Sequence, residues 1–554
     1  MRRLAFYTIF LMAVLLPFTV FALDITDPLG DIYDDIQVWY EAGLIDEVPS
    51  LRPYPAQVLV AVLRQVTAHS STPAADRQQA EAYLAALEAE RDIDGVWFGK
   101  AQLKSSESEE YLFGGAGIEY NTWFSDYVAL NGRWVAFGKY EGDGYYPAGE
   151  GRELDSFDDN AEMAVAGHQI DLRQLFTNSF SFGTDSLYFQ AGIHRSSYGP
   201  VFDNGAVLGG YAHYAPTFNV VWDEGGKFGM TTTYMELTAS NYYGEEVFSD
   251  KRMAMQTYTY RPVEWAEFEF LQSIVYGNRF DLVYFVPFSF LFYNQNLAGY
   301  EDNSWMGFSA ALDLPRQTGF NAVIYIDDAH FNDFLRFDFN TMFKAAINTE
   351  FTWTPMHRYL RRLSLDYLAV TPYTYSHKSG RFSDYPETVG DDAVKYSKWL
   401  AENANYLNYT SYGDTLGPVL DPNSDRLTLK YNARPLPGLD VKLIGRMIRH
   451  GNPTAEGYNS DGVTDGSVYD DGYDDNEEHT FKDLRFLTQD ELEYTFTAGF
   501  DLGYTFDLDP HTIKLLFGYR LEHIRNKMND GYPVKGDNET SHYLMGGFAY
   551  SYQF

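Results

Sequence analysis

The string HRSSYG, His194 to Gly199, sets a histidine two residues ahead of a serine. That spacing puts a base and a hydroxyl nucleophile on one face of a strand, the arrangement ester cleavage would use. The parity of the neighbours weighs against it. In LYFQAGIH, His194 falls with Tyr188, Gln190 and Gly192 on a polar side, opposite Leu187, Phe189, Ala191 and Ile193. A structural polar pair is the plainer reading. A second concentration is NSDGVTDGSVYDDGYDDNEEH, with Asp461, Asp465, Asp470, Asp471, Asp474 and Asp475. Carboxylates among glycines suit calcium, but the spacing is not that of an EF-hand loop, and a solvated acidic loop is the alternative. Tyr469 and Tyr473 are interleaved with these acids, and Tyr145 and Tyr146 repeat the theme in EGDGYYPAGEG. Sugar rings stack their C–H faces on aromatic rings while carboxylates accept their hydroxyls. Both loops therefore read as candidate glycan surfaces, or equally as aromatic groups at a membrane surface. In VKLIGRMIRHGN, Lys442, Arg446, Arg449 and His450 form the best basic cluster. Arg446 and Arg449 are its candidate ligands for acidic sugars, with lipopolysaccharide phosphates or simple charge pairing as alternatives.

Composition narrows the class of molecule that carries these groups. There is no cysteine, which removes disulfide scaffolds, thiol catalysis and thiolate metal sites. Arg2 and Arg3, the apolar run Leu4 to Phe21, and the small pair Val20 and Ala22 predict a signal peptide over residues 1–22. An uncleaved anchor helix is the alternative, because the run reaches spanning length. Loss of 1–22 removes two bases and no acid, so a formal charge of −37 becomes −39. No basic tract or phosphate-cradling loop is present, which excludes nucleic acid as a partner. Aromatic residues make up 17% of the chain, yet the mean hydropathy is −0.34. Beyond the leader the longest apolar run is LVYFVPFSFLFY, Leu282 to Tyr293, too short to span and interrupted by Pro287. An exported, aromatic-rich chain of this polarity is either a large soluble β protein or an outer-membrane β-barrel.

Two periodicities divide the sequence. Residues 23–94 read as a small helical bundle. Ile32, Ile36 and Trp39 with Tyr40 recur at helical spacing before Gly43. Val58, Leu59, Val62, Leu63 and Val66 repeat the pattern, and Thr72–Pro73 opens a third helix carrying Tyr83, Leu84 and Leu87. From about Gly95 the period becomes two. FTAGFDLGYTF alternates Phe496, Ala498, Phe500, Leu502, Tyr504 and Phe506 with glycine, threonine and Asp501. TIKLLFGYRLEH alternates Ile513, Leu515, Phe517, Tyr519 and Leu521 in the same way, and YLMGGFAYSYQF puts Leu544, Phe548, Tyr550, Tyr552 and Phe554 on one side. Strands of about ten residues, aromatic ends and a mild polar parity predict an all-β transmembrane barrel over 95–554, of roughly 16–18 antiparallel strands, closed first to last. His194 and Ser196 then face the lumen, away from lipid. The stretches 141–160 and 451–483 become extracellular loops.

Several segments resemble the Wzi-type capsule-assembly family of outer-membrane proteins. DDIQVWYEAGLIDEVPSLRPYP is similar to that family's helical opening, and GIHRSSYGPVFDNGAVLGGYAHYAP to its strand and Gly-Pro turn. VPFSFLFYNQNLAGYEDNSWMGFSAALDLP followed by AVIYIDD resembles its central signature, and LAVTPYTYSH and SYGDTLGPVLDPNSDRLTLKYNARPLPGL its later strands. The resemblance implies a barrel with an N-terminal helical bundle that acts as a surface lectin and tethers capsular or extracellular polysaccharide. It offers no catalytic, cofactor or metal residues to carry over. His194 and Ser196 also resemble the pair of outer-membrane phospholipases, but the Asn and Gly expected after the serine are missing. An outer-membrane protein of this kind implies contact with lipid and lipopolysaccharide-like glycolipid, and insertion by the barrel-assembly machinery. The alternative is a porin or transporter passing solutes through the lumen. A charge of this sign repels acidic glycans at long range, so such a ligand needs bridging cations or local bases.

Overall fold

The computed structural model describes residues 25–88, 91–105, 109–140, 146–150, 161–165, 168–241, 246–277, 279–298, 302–329, 336, 343–377, 404–451, 486–507, 511–529 and 532–553. Three helices open the chain: α1 (Asp31–Glu41), α2 (Ala56–Ala68) and α3 (Ala74–Glu88). Gly43, at φ +75°, ends the first by the left-handed conformation its missing Cβ permits. Thr72 does not cap α3; its hydroxyl donates to the Val66 carbonyl at the end of α2.

Eighteen long strands follow. They are β1 (Arg91–Lys104), β2 (Glu109–Ser125), β3 (Val128–Tyr140), β4 (His168–Gly183), β5 (Leu187–His194) and β6 (Ala215–Asp223). Next come β7 (Phe228–Asn241), β8 (Glu246–Val263), β9 (Ala266–Gly277), β10 (Asn303–Leu314), β11 (Thr318–Ala329) and β12 (Phe343–Trp353). The last six are β13 (Arg362–Val370), β14 (Ser424–Leu436), β15 (Leu439–His450), β16 (Glu493–Asp507), β17 (His511–Arg525) and β18 (Asn538–Gln553). A fourth helix, α4 (Leu291–Ala298), lies between β9 and β10. Each strand pairs antiparallel with the next, and β18 closes on β1 from Asp94↔Gln553 to Lys104↔Tyr543. Closure leaves no unpaired edge, the condition for backbone to cross lipid.

Parity places the side chains as the sequence predicts. Leu187 and Phe189 are exposed on the outer wall, as are Phe496, Leu502, Leu515, Phe517 and Leu544, while Tyr188, Gln190 and His194 are buried within. The outer wall is therefore apolar and lipid-facing, and the protein is an outer-membrane β-barrel. Gly99 keeps that wall smooth: a Cβ there would stand 2.5 Å from the Phe548 ring.

Tight turns join β2 to β3, β4 to β5, β6 to β7, β8 to β9, β10 to β11 and β14 to β15 at one end. The helices pack into that mouth, their core continuous with Ala129, Tyr188 and Val221 of the inner wall. Charge complements this packing. Asp34 meets Lys442 at 2.5 Å, Asp35 meets Arg361 at 2.9 Å and Arg434 at 3.1 Å, and Glu41 meets Arg362 at 2.8 Å. Asp31 pairs with Lys514 and Asp76 with Arg361. In every one of these pairs the acid comes from the helices and the base from the barrel. Burial alone would raise the Asp35 carboxyl, but Arg434 and Arg361 outweigh it and hold it below its ordinary value of 3.8.

Candidate functional site

The connections at the other end do not all project outward. Between β5 and β6 the chain turns into the lumen, where Ser197–Tyr198 pairs with Leu51–Arg52. Gly199 N–H donates to the Ser50 carbonyl at 2.7 Å, and the Tyr198 hydroxyl donates to Glu269 of β9. The segment between β13 and β14 also enters. Its residues meet the first segment directly: Gly209 N–H donates to Leu416 O at 2.9 Å and the Tyr409 hydroxyl to Val207 O at 3.0 Å. Trp305 of the inner wall stacks on Tyr325 at 4.7 Å and on Tyr375 at 5.4 Å, joining wall and segments in one aromatic core. The polar lumen inferred from Gly and Thr parity is thus crossed by apolar packing that no local period announces. Among the described residues, Leu516 of β17, on the inward parity, is 44% exposed, so the packing does not cover the inner wall completely there.

A third piece, Tyr146 to Glu150, also lies within. Ala148 N–H donates to Glu522 at 2.7 Å, Arg446 donates to Ala148 O at 3.0 Å, and Glu150 pairs with Arg520 at 2.7 Å. The Tyr146 ring lies 5.2 Å from the Lys100 ammonium. Tyr146 and Arg446 are therefore brought to one lumenal region, each engaged by this chain. Arg449 is elsewhere. It shares the outward parity of Leu443, donates to Asp425 at 2.9 Å, and Tyr367 donates to the same carboxylate at 3.0 Å. Lys442 is occupied by Asp34 at the opposite end, so the basic run is spread along β15 and forms no single cluster. Tyr145, Tyr469, Tyr473 and the aspartates of 461–475 lie outside the described residues, as do the leader 1–22 and Phe554.

His194 ends β5, so Ser196 does not share its strand. The His194 Nδ1–H donates to the Arg195 carbonyl at 3.0 Å, while His194 Nε2 and Ser196 Oγ have no hydrogen-bond partner among the described residues. No serine–histidine hydrogen bond joins them, and both are buried in the lumen.

One partly exposed constellation was not legible in the sequence. Thr410–Ser411 pairs with Asp414–Thr415, and the two residues between, Tyr412 and Gly413, have φ +53° and +81°. This two-residue turn with both φ positive has tight hairpin geometry; Gly413 is buried, and Tyr412 is half-buried with its N–H donating to Thr238 O at 3.1 Å. The Tyr412 ring lies 4.8 Å from the His213 ring, and His213 Nε2 is 2.8 Å from Asp414 Oδ2. An aromatic face beside a carboxylate is the chemistry sought in the acidic loops, here built from the two inward segments near the long-connection end. Both parts fall in motifs quoted above, GGYAHYAP and SYGDTLG, but only tertiary contact unites them.

No protein-family model matches the chain, and no curated protein does. Solved structures do. Wzi, an outer-membrane protein involved in group 1 capsule assembly in Escherichia coli and described as a carbohydrate-binding β-barrel, superposes with a TM-score of 0.52 at 12% identity. The match covers 94% of this chain and 97% of that one. The fold is Wzi-like. OprD of Pseudomonas aeruginosa and OccAB3 of Acinetobacter baumannii are also similar, each with a TM-score of 0.42, at 11% and 10% identity over 84% of this chain and 94% and 100% of theirs.

Proposed function

We propose that this barrel is a surface lectin of the Wzi type, holding capsular or extracellular polysaccharide on the cell without a catalytic step. The observation that carries the reading is the crossing of the lumen by segments 195–214 and 404–420, hydrogen-bonded to one another and to Ser50. A barrel closed in this way offers its outer end as a surface. The Tyr412–His213–Asp414 group supplies a stacking face and acceptors there. Tyr145, Tyr469 and Tyr473 add aromatic groups in acidic loops, and Arg449 lies at the rim facing lipopolysaccharide-like glycolipid. Wzi is described as carbohydrate binding, which favours the same ligand class here. In this reading residues 1–22 direct export, 23–94 plug the inner mouth, and 95–554 form the barrel that the assembly machinery inserts.

A second reading, a solute channel, draws on the incompletely covered inner wall at Leu516 of β17. One preparation separates the two. The purified protein is expected to bind polysaccharide on a glycan array and to give no step conductance in planar bilayers. Stable conductance steps without glycan retention sink the lectin.

A further inference from the structure

The apolar run Leu282 to Tyr293 is too short to span a membrane, and it finds a different place. After β9 the chain folds back over the outside of the barrel as a 3-10 turn, Leu282–Phe285, followed by α4. The wall beneath is Ala254, Ile274 and Tyr276, on the same outward parity as the exposed Phe268; Tyr284 and Leu291 bury against it. The wall there has the wrong polarity for lipid. Gln256 and Gln272 sit opposite each other in register on that face, with Glu236 and Arg252 nearby. Charged or amide groups on the lipid side of a barrel are costly within the bilayer.

The segment answers three of them, while Glu236 is held by Arg252 of the wall at 3.1 Å. Gln272 donates to the Ser289 carbonyl at 2.6 Å and accepts from Leu291 N–H at 2.9 Å; Gln256 donates to the Val286 carbonyl at 3.0 Å. Arg252 donates to the Arg279 carbonyl at 2.8 Å. Several of its own polar side chains bond back to the segment's backbone: Asn296 donates to Phe292 O at 2.9 Å, Asn294 to Val283 O at 3.3 Å and Ser289 to Val286 O at 2.7 Å. Irregular backbone survives at membrane depth only where its polar groups are satisfied in this way. The outer side carries the opposite chemistry, with Phe280, Val286, Phe292 and Tyr293 exposed, Phe288 at 72% and Leu297 at 70%. No charged residue occurs from Leu282 to Ala298 in a chain that is 21% charged. Charges gather where the segment leaves and rejoins the wall, at Arg279, Asp281 and Asp302. The Phe288 ring reaches Tyr258, 5.7 Å away and in register with Phe270. That is roughly 20 Å along the strand from Gly277, at about 3.3 Å per residue.

We propose that residues 279–298 form a flap embedded in the outer leaflet, docked on the barrel wall through Gln256 and Gln272 and solvated on its outer side by lipid acyl chains. Lipid is the partner because the exposed row continues the apolar band of Phe268, Phe308 and Met306 on the adjoining wall. The absence of cysteine makes the test clean. Spin labels on F288C and F292C in liposomes are expected to relax more with oxygen than with a nickel chelate. The reverse is expected for K535C, whose side chain is 79% exposed at the same end of the barrel. Combining F288C with Q256L and Q272L removes the docking bonds yet leaves an apolar wall; label motion should quicken while the barrel still assembles. Greater nickel than oxygen access at 288 and 292 would place the flap in water and overturn the proposal. Spin–spin broadening between copies labelled at 292 would give the face to a second copy, and unchanged motion in the leucine variant would refute the docking. Both outcomes count against it.

Discussion

At the residue scale the strongest contacts are the ion pairs between helices and barrel. Arg361 donates to Asp35 at 2.9 Å and also meets Asp76, and all three side chains are under one-tenth exposed. Removing one member leaves carboxylates buried with too little countercharge, a loss of about 3–5 kcal/mol in comparable sites. Arg361→Ala is therefore expected to release residues 25–88 to proteolysis at denaturant concentrations the native protein withstands; equal resistance would show that apolar packing alone holds the helices. Acid should act on the same contacts. Burial raises Asp35 and Glu41, but Arg434 and Arg361 in the first case, and Arg362 in the second, pull them below their ordinary values of 3.8 and 4.5. A depressed carboxylate stabilises the docked state above its ordinary value and loses that contribution as pH falls through its lowered one. Docking is thus expected to hold from neutrality to about pH 4, the ordinary range of these carboxyls, and to weaken below it. Glu47, which burial pushes up, works against this trend only partly. Protease sensitivity that rises between pH 7 and 5 contradicts the assignment. None of these pairs was legible in the sequence, because Asp35 and Arg361 look like ordinary surface charges until the chain brings them together.

At the scale of elements, legibility followed periodicity. Ile32, Ile36 and Trp39 mark α1, and alternation marks β5, β16, β17 and β18, because one face of each meets a single uniform environment. The connecting segments meet no such uniform surroundings. Tyr198 faces Leu51, Tyr409 meets Val207 and Gln272 holds Ser289, contacts set by distant partners rather than by spacing. Hence the inward turn after β5 and the outward fold after β9 were unreadable, although their aromatic richness was plain. The inward segment also makes a prediction. His194 and Ala215 are already paired neighbours, so a short glycine-serine linker can replace 199–212 without opening the sheet. That replacement should admit ions in planar bilayers, whereas Arg361→Ala should not, since segment 404–420 and residues 195–214 still cross the lumen. Conductance unaltered by the linker would assign closure to some other part of the chain.

At the scale of the molecule, the proposed tether would have to hold an acidic polysaccharide against the long-range repulsion of a chain whose formal charge is −37. A tether acts after synthesis and export. Loss of the protein should therefore move polysaccharide from cells to medium while total synthesis stays level. Aromatic stacking makes the grip distributive: each ring contributes on the order of 1 kcal/mol beyond its buried area, about a fivefold change in affinity. Tyr412→Asn keeps the left-handed turn, which asparagine tolerates, and removes only the ring. Alone it should weaken retention slightly. Joined with alanine at Tyr145, Tyr469 and Tyr473, it should approach the deletion phenotype while heat-modifiable migration shows the barrel intact. Tyr146 is left out because its ring lies inside against Lys100. Chelation of divalent cations separates the two ligand charges. It should strip an acidic polysaccharide, for which cations bridge the repulsion, and leave a neutral one in place. A quadruple variant that retains polysaccharide as the native strain does, on a barrel that has assembled, would remove these rings from the binding surface.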